Sequence, residues 1–209
     1  MNRIWIFLFL LSILFFGCGE ESTEDIIHPP DEILAPSSDG LLPLRIGNEW
    51  VYQRATTQGD IKLIRWTVAD TSRINTVLTF EMNYFEDGEL QPWARHYLNH
   101  GNGLYVHGAV DQNGDAVDIE EPRLFLPYPI SETGSFPCWS AERANFRGAN
   151  KNIGVPAGSF LCHKYELYFD IETNHMCSSF WSPHVGMIAQ FEYIEGELIR
   201  KWELTSYKR

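Results

Sequence analysis

The side chains through which this 209-residue chain could do chemistry are its four cysteines, its seven histidines and a few paired acids. Cys162-His163 and His175-x-Cys177 invite a zinc reading, because thiolate and imidazole are the usual zinc ligands. Adjacent residues of a strand point to opposite faces, however, so Cys162 and His163 could share one ion only across a bulge. A disulfide cysteine beside surface histidines is the simpler expectation, with no metal. His96 and His100 stand four apart, which would align them on a helix, yet Tyr97-Leu98-Asn99 and Gly101-Asn102-Gly103 around them read as a strand end and a turn. Asp111-x-Asn113-x-Asp115 imitates the start of a calcium loop, but Ala116 stands where that loop needs glycine and Pro122 where it needs a bidentate glutamate. It reads as a hairpin turn, and Glu120-Glu121 beside it leave room only for a weak adventitious calcium site. No nucleophile elbow, phosphate-cradling glycine loop or HExxH helix occurs, so the expectation is no catalytic constellation and no cofactor.

The most informative cysteine is Cys18. Ile4 to Phe16 is a run of thirteen residues, apolar except for Ser12, preceded by the single charge of Arg3. A bilayer core needs about 20 apolar residues in a helix and a secretory h-region about 7 to 15, so residues 1–17 read as a signal peptide. Gly17-Cys18 ends the run and resembles the lipobox of bacterial lipoproteins. That resemblance implies diacylglycerol on the Cys18 thiol, cleavage before it and acylation of the new amino terminus. Phe15 and Phe16 depart from the usual pattern, in which leucine and a small residue are commoner. Gly19 in place of aspartate resembles the enteric pattern without inner-membrane retention, which points to a lipid-anchored envelope protein of the outer membrane.

Residues 18–40 read as a tether. Glu20, Glu21, Glu24, Asp25, Asp31, Glu32 and Asp39 meet no lysine or arginine there, and Pro29, Pro30, Pro36 and Ser37-Ser38 join them without an aromatic residue. Such a segment cannot bury enough apolar surface to offset its ordering entropy, and as a coil it would span about 25 Å. The acidic cluster after Cys18 also resembles, loosely, surface-export signals of some bacterial lipoproteins. The whole chain carries 28 acids against 16 bases, a charge of −12, so it has no basic footprint for nucleic acid. With the tether removed, residues 41–209 are only mildly acidic.

The remainder alternates with period two, the mark of half-buried strands. Leu78, Phe80, Met82 and Tyr84 form one such face, Tyr165, Leu167, Phe169 and Ile171 another, and Met187, Ala189, Phe191 and Tyr193 a third, followed by Leu198, Trp202 and Leu204. Trp50 and Tyr52, then Ile64, Trp66 and Val68, and Leu104 to Val110 open further strands. Gln58-Gly59-Asp60, Asp87-Gly88, Asn113-Gly114, Pro156-Ala157-Gly158 and Glu195-Gly196 supply the turns, because glycine accepts the positive φ of tight hairpins. No stretch has helical period with caps. These features predict one all-β domain over 41–209, a mostly antiparallel curved sheet or partly closed barrel of roughly nine to eleven strands. Residues 119–137, with Pro122, Pro127, Pro129 and Pro137, are expected to be a long irregular connection.

Three blocks now stand in order: Pro43-Leu44 with Gly47-Asn48-Glu49-Trp50-Val51-Tyr52, then Val155-Pro156-Ala157-Gly158-Ser159-Phe160, then Trp181 with Val185-Gly186-Met187-Ile188. Together with the lipobox they resemble a group of uncharacterised bacterial lipoproteins, across most of residues 41–209. The resemblance implies no activity and no catalytic residues. Physically, Trp50 and Tyr52 would be core aromatics of the first strand, and Gly186 would relieve a bend where the penultimate strand begins.

Cys138, Cys162 and Cys177 remain once Cys18 is lipidated, and an exported protein meets an oxidising compartment, which predicts one disulfide and one cysteine left over. The pair is open: a turn near Glu172 to Asn174 would set Cys177 opposite residue 168 and not opposite Cys162, so Cys138 with either partner stands beside it. The domain also holds Trp50, Trp66, Trp93, Trp139, Trp181 and Trp202. Most should be core, while Trp93 and Trp139, each beside a proline, are candidates for an exposed patch. The expectation is therefore a membrane-tethered binding module that presents aromatics to a glycan or protein. The alternative is a carrier that encloses a lipid or other hydrophobic ligand within the curved sheet.

Overall fold

The period-two patterning is realised as strands throughout, with no helix among the described residues. The computed structural model describes residues 40–110, 113 and 115–209. The signal segment, Cys18 and the acidic tether up to residue 39 lie outside the described residues, as do Asp111 and Gly114 of the calcium-like turn.

The strands are β1 (Glu49–Thr56), β2 (Ile61–Ile74), β3 (Val77–Glu86), β4 (Glu89–His100), β5 (Gly103–Val110), β6 (Ala116–Pro127), β7 (Gly134–Phe136), β8 (Arg143–Phe146), β9 (Lys151–Val155), β10 (Gly158–Asp170), β11 (His175–Ser182), β12 (Gly186–Ile194) and β13 (Glu197–Lys208). They form one antiparallel sheet in the order β6-β5-β4-β3-β2-β1-β13-β12-β11-β10-β8-β7, with β9 on β10. Two meanders thus run outward from a central seam in which Trp50 faces Trp66 on one side and Tyr207 on the other. The turns close as their residue types require. Asp87-Gly88 and Glu195-Gly196 each hold two successive positive φ angles (50° and 90°; 53° and 83°), the signature of a two-residue type I′ hairpin.

The sheet has thirteen strands, more than patterning suggested, for two reasons. β7, β8 and β9 are only 3, 4 and 5 residues long, too short for a periodic signal. The second reason corrects the irregular connection expected over 119–137, whose first part is strand β6. Proline cannot donate to a ladder and is tolerated on an edge strand or at a bulge, and Pro122 meets both conditions. β6 lies at the end of the sheet, and while Val106 faces Arg123, Gly108 already faces Asp118, so the residues between leave the ladder.

No ladder joins β6 to β7, so the sheet is curved and open. Its ends are nevertheless bridged: Trp139 N–H donates to the Leu124 carbonyl at 3.0 Å, and the Tyr165 hydroxyl donates to the Pro127 carbonyl at 2.8 Å. Curvature turns one face inward, where Trp50, Tyr52, Met82, Leu104, Leu126, Phe146, Tyr165, Met187 and Leu204 are fully or almost fully buried.

The segment before β1 completes this core. Leu41, Leu42 and Leu44 are buried against it, each contributing about 1.5–3 kcal/mol relative to exposure. Their backbone is held by side-chain donors, since Asn99 Nδ2 donates to the Leu42 carbonyl at 2.6 Å and Asn48 Nδ2 to the Pro43 carbonyl at 2.8 Å. Gly186 lies directly beneath. With φ at +105° it starts β12, and a Cβ there would stand 2.8 Å from Leu42 Cδ1 and 3.3 Å from Trp50 Nε1. The Trp50 indole donates to the neighbouring Val185 carbonyl at 2.5 Å, and the Tyr52 hydroxyl to the Met187 carbonyl at 3.1 Å. Both residues are the core aromatics of the first strand that the sequence implied.

Candidate functional site

On β4, Trp93, Arg95 and Tyr97 alternate and so project from one face of the strand. That face meets residues of β2, β3, β6 and β11 to β13 around a cavity of about 170 Å³. Its inner wall is buried, built from Tyr84, Tyr97, Phe125, Trp181 and Met187. Its rim is half-buried, built from Trp66, Trp93, Arg95, Gln190 and Trp202.

The aromatic side is continuous. Trp66 lies 4.8 Å from Tyr52, 5.3 Å from Tyr84 and 6.1 Å from Trp202 between ring centroids, and Tyr84 lies 3.7 Å from Trp93. Phe125 bridges the opposite wall, 6.0 Å from Tyr97 and 6.1 Å from Trp181. Apart from the closer Tyr84–Trp93 contact, these separations suit edge-to-face and offset packing. The indole N–H groups of Trp66 and Trp202 are buried and have no hydrogen-bond partner among the described residues.

Arg95 is the charged member. Its Nη1 donates to the Tyr97 hydroxyl at 3.4 Å, and its guanidinium carbon stands 5.7 Å from the centre of the Trp139 ring. No carboxylate pairs with it among the described residues. Burial works against its charge, but the adjoining Tyr97 and Tyr84 hydroxyls more than offset this, so its pKa lies above the ordinary arginine value. Burial also pushes the phenol of the lining Tyr84, and that of Tyr52 behind it, well above the usual value.

Two residues singled out in the sequence converge here. Trp93 lies within β4 with its ring on Tyr84, and Trp139 lies in the connection after β7 against Arg95. Neither is the exposed loop aromatic that a neighbouring proline suggested: both are half-buried against the core. Arg95 was missed. The signal that could have found it is an arginine placed between two aromatics at strand period, Trp93-x-Arg95-x-Tyr97.

The other candidates do not assemble into one site. Cys138, Cys162 and Cys177 are free thiols, the first half-buried and the other two buried. Cys162 pairs in register with Lys151, and Cys177 faces Leu167, one residue from the position expected because Tyr168 to Asp170 bulges. His163 packs against Phe146 and Tyr128. His96 and His100 lie on strand β4, their Nδ1 atoms 3.1 Å from Ser72 Oγ and 3.2 Å from Asn102 Oδ1 respectively. Ser72 Oγ is also 3.1 Å from Thr79 Oγ1, so this is a cross-strand network at the β2–β3 hairpin. His175 reaches Glu192 at 2.9 Å, and Arg200 completes that surface cluster. Among the described residues no three histidine, cysteine or acidic side chains come together as a metal site. Val110 pairs with Ala116, so Asn113 lies in a hairpin connection, as its residue types suggested.

No family model matches the chain, and no curated protein matches it. Solved structures similar to this chain include the following two. One is a candidate lipoprotein from Parabacteroides distasonis, 13% identical, with a TM-score of 0.54 over 81% of this chain and 99% of that one. The other is a candidate exported protein with a YmcC-like fold from Bacteroides fragilis, 14% identical, with a TM-score of 0.47 over 82% of this chain and 100% of that one. At such identity the first likeness establishes a shared fold and assigns no role to any residue.

Proposed function

We propose that this chain is a lipid-anchored protein of the bacterial envelope whose β domain is a tethered binding module for a small, ring-bearing ligand. The membrane part of this reading rests on the length of the Ile4 to Phe16 run and on Gly17-Cys18, and it is in keeping with the description of the Parabacteroides distasonis protein as a candidate lipoprotein. Two or three acyl chains on Cys18 would make a stable anchor where one is marginal, and we place it at the outer membrane.

The observation that carries the binding part is the aromatic cavity. Its volume of about 170 Å³ resembles the roughly 150 Å³ cavity that suffices for benzene and falls short of the roughly 300–1,000 Å³ of drug-sized sites. That volume matches a single ring better than a long acyl chain. This favours a binding module over a lipid carrier, and makes a glycan or protein partner one that would insert a single ring or side chain.

Two measurements test the reading. Cys18→Ser should shift the protein from the membrane fraction to the soluble fraction, and an unchanged distribution overturns the anchor. A native and then a denaturing mass spectrum of the exported protein should show extra mass of ring-compound size that leaves on denaturation. Co-purification of a long-chain lipid would instead restore the carrier.

A further inference from the structure

Arg95 is the feature of this cavity that an uncharged ring does not explain. A half-buried guanidinium loses hydration, and natural proteins compensate such a group with a carboxylate or with several acceptors. Elsewhere in the domain Arg54, Arg65, Arg147 and Arg200 each meet a glutamate. Arg95 meets one long hydrogen bond to Tyr97 and the face of Trp139, and no carboxylate among the described residues. The residues lining the cavity include no aspartate or glutamate. The other arginines without an ion pair among the described residues, Arg45, Arg73, Arg123, Arg143 and Arg209, are exposed, so Arg95 stands apart as a half-buried one.

The walls define the rest of the ligand. Rings of Trp66, Tyr84, Trp93 and Trp202 line it and set its aromatic character. A cation in an aromatic cavity whose lining holds no acid describes a site for an anion. Building on the cavity as a ligand site, we infer that it takes a small carboxylate, whose flat apolar body lies among these four rings and whose acid group is held by the Arg95 fork. The match is chemical at both ends. A carboxylate accepts two parallel bonds from a guanidinium, and a single ring fills about the volume available.

Benzoate and its neutral isostere benzamide are the probes, titrated into the full chain and followed by the indole N–H resonances and by calorimetry. Benzoate should bind at least tenfold more tightly, since a charge-assisted hydrogen bond is worth roughly twice a neutral one. Arg95→Gln should abolish that preference while leaving benzamide binding in place. Arg95→Lys, which keeps the charge and loses the fork, should restore part of it. Equal affinities for benzoate and benzamide in the unaltered chain overturn the anion assignment and leave a neutral ring site standing. Failure of both probes to bind removes the cavity as a ligand site altogether. The unaltered chain decides the question even where Arg95→Gln does not fold.

Discussion

Replacing Gly186 with alanine tests the contact on which the interior rests. Two costs add there. An L-residue held at positive φ loses roughly 1–2 kcal/mol, and Gly186 sits at +105°. The new Cβ would also come within 2.8 Å of Leu42 Cδ1, a side chain only 1% exposed, so relief requires movement of the segment that fills the core. Overpacking of this kind costs about 1–3 kcal/mol. Gly196 is the internal control, at φ +83° with nothing within 4 Å of where a Cβ would stand, so Gly196→Ala suffers only the backbone cost. The difference between the two variants should be about 2 kcal/mol, the overpacking cost alone. At roughly 2–4 °C per kcal/mol for a domain of this size, that is about 4–8 °C in melting temperature. Thermal and urea unfolding of both variants supply the comparison. Leu42→Ala should recover part of the Gly186→Ala loss, because it removes the atom that is struck. Equal destabilisation by Gly186→Ala and Gly196→Ala would refute the packing argument, since only the shared backbone cost would then remain.

Acidification and thiol labelling test other parts of the structure. Burial holds His96, His107 and His163 below the ordinary histidine value of 6.5, so the unfolded chain takes up protons first and stability should fall as pH drops below about 6.5. The Lys62 hydrogen bond, with help from Arg54, lowers the Glu86 carboxyl; burial pushes Glu166 up, but Lys164 and Arg147 more than offset it. Both therefore titrate below 4.5, and their contribution, complete above that value, is lost as pH falls through their lower folded values. Urea midpoints should decline steadily from about pH 7 downward, with Glu166→Gln flattening only the part below 4.5; a midpoint that rises on acidification contradicts the assignment. For the thiols, burial raises all three, Cys162 up to about 12, but Cys138 is only half-buried where the other two are buried, so it should label first and they only on unfolding. Denatured, unreduced protein should yield three thiols besides Cys18, and a mass two hydrogens short would establish a disulfide in their place.

Particular residues show where the sequence was readable. Asp87-Gly88 and Glu195-Gly196 fold as the hairpins their types demand because a turn is governed by a few adjacent φ and ψ angles. Trp50 and Tyr52 are buried as their alternation implies, and Gly186 starts a strand at positive φ. Pro122 misled, since proline argues against a strand only where its missing N–H would be needed, and whether β6 is an edge depends on the whole strand order. Leu41, Leu42 and Leu44 adjoin an acidic tether and carry no period, so nothing local marks them as core.

Patterning and turn chemistry act over a few neighbouring residues, and so the all-β class, the antiparallel meander and most hairpins could be read directly from residue order. The cavity could not. Trp66 and Trp202 meet only because β2 and β13 both pair with β1, and Arg95 meets Trp139 only because the curved sheet brings the connection after β7 back towards β4 and β6. A free cation among aromatic walls is a property of what surrounds Arg95 in space, and residues far apart in the chain supply those surroundings only after strand order and curvature have been set.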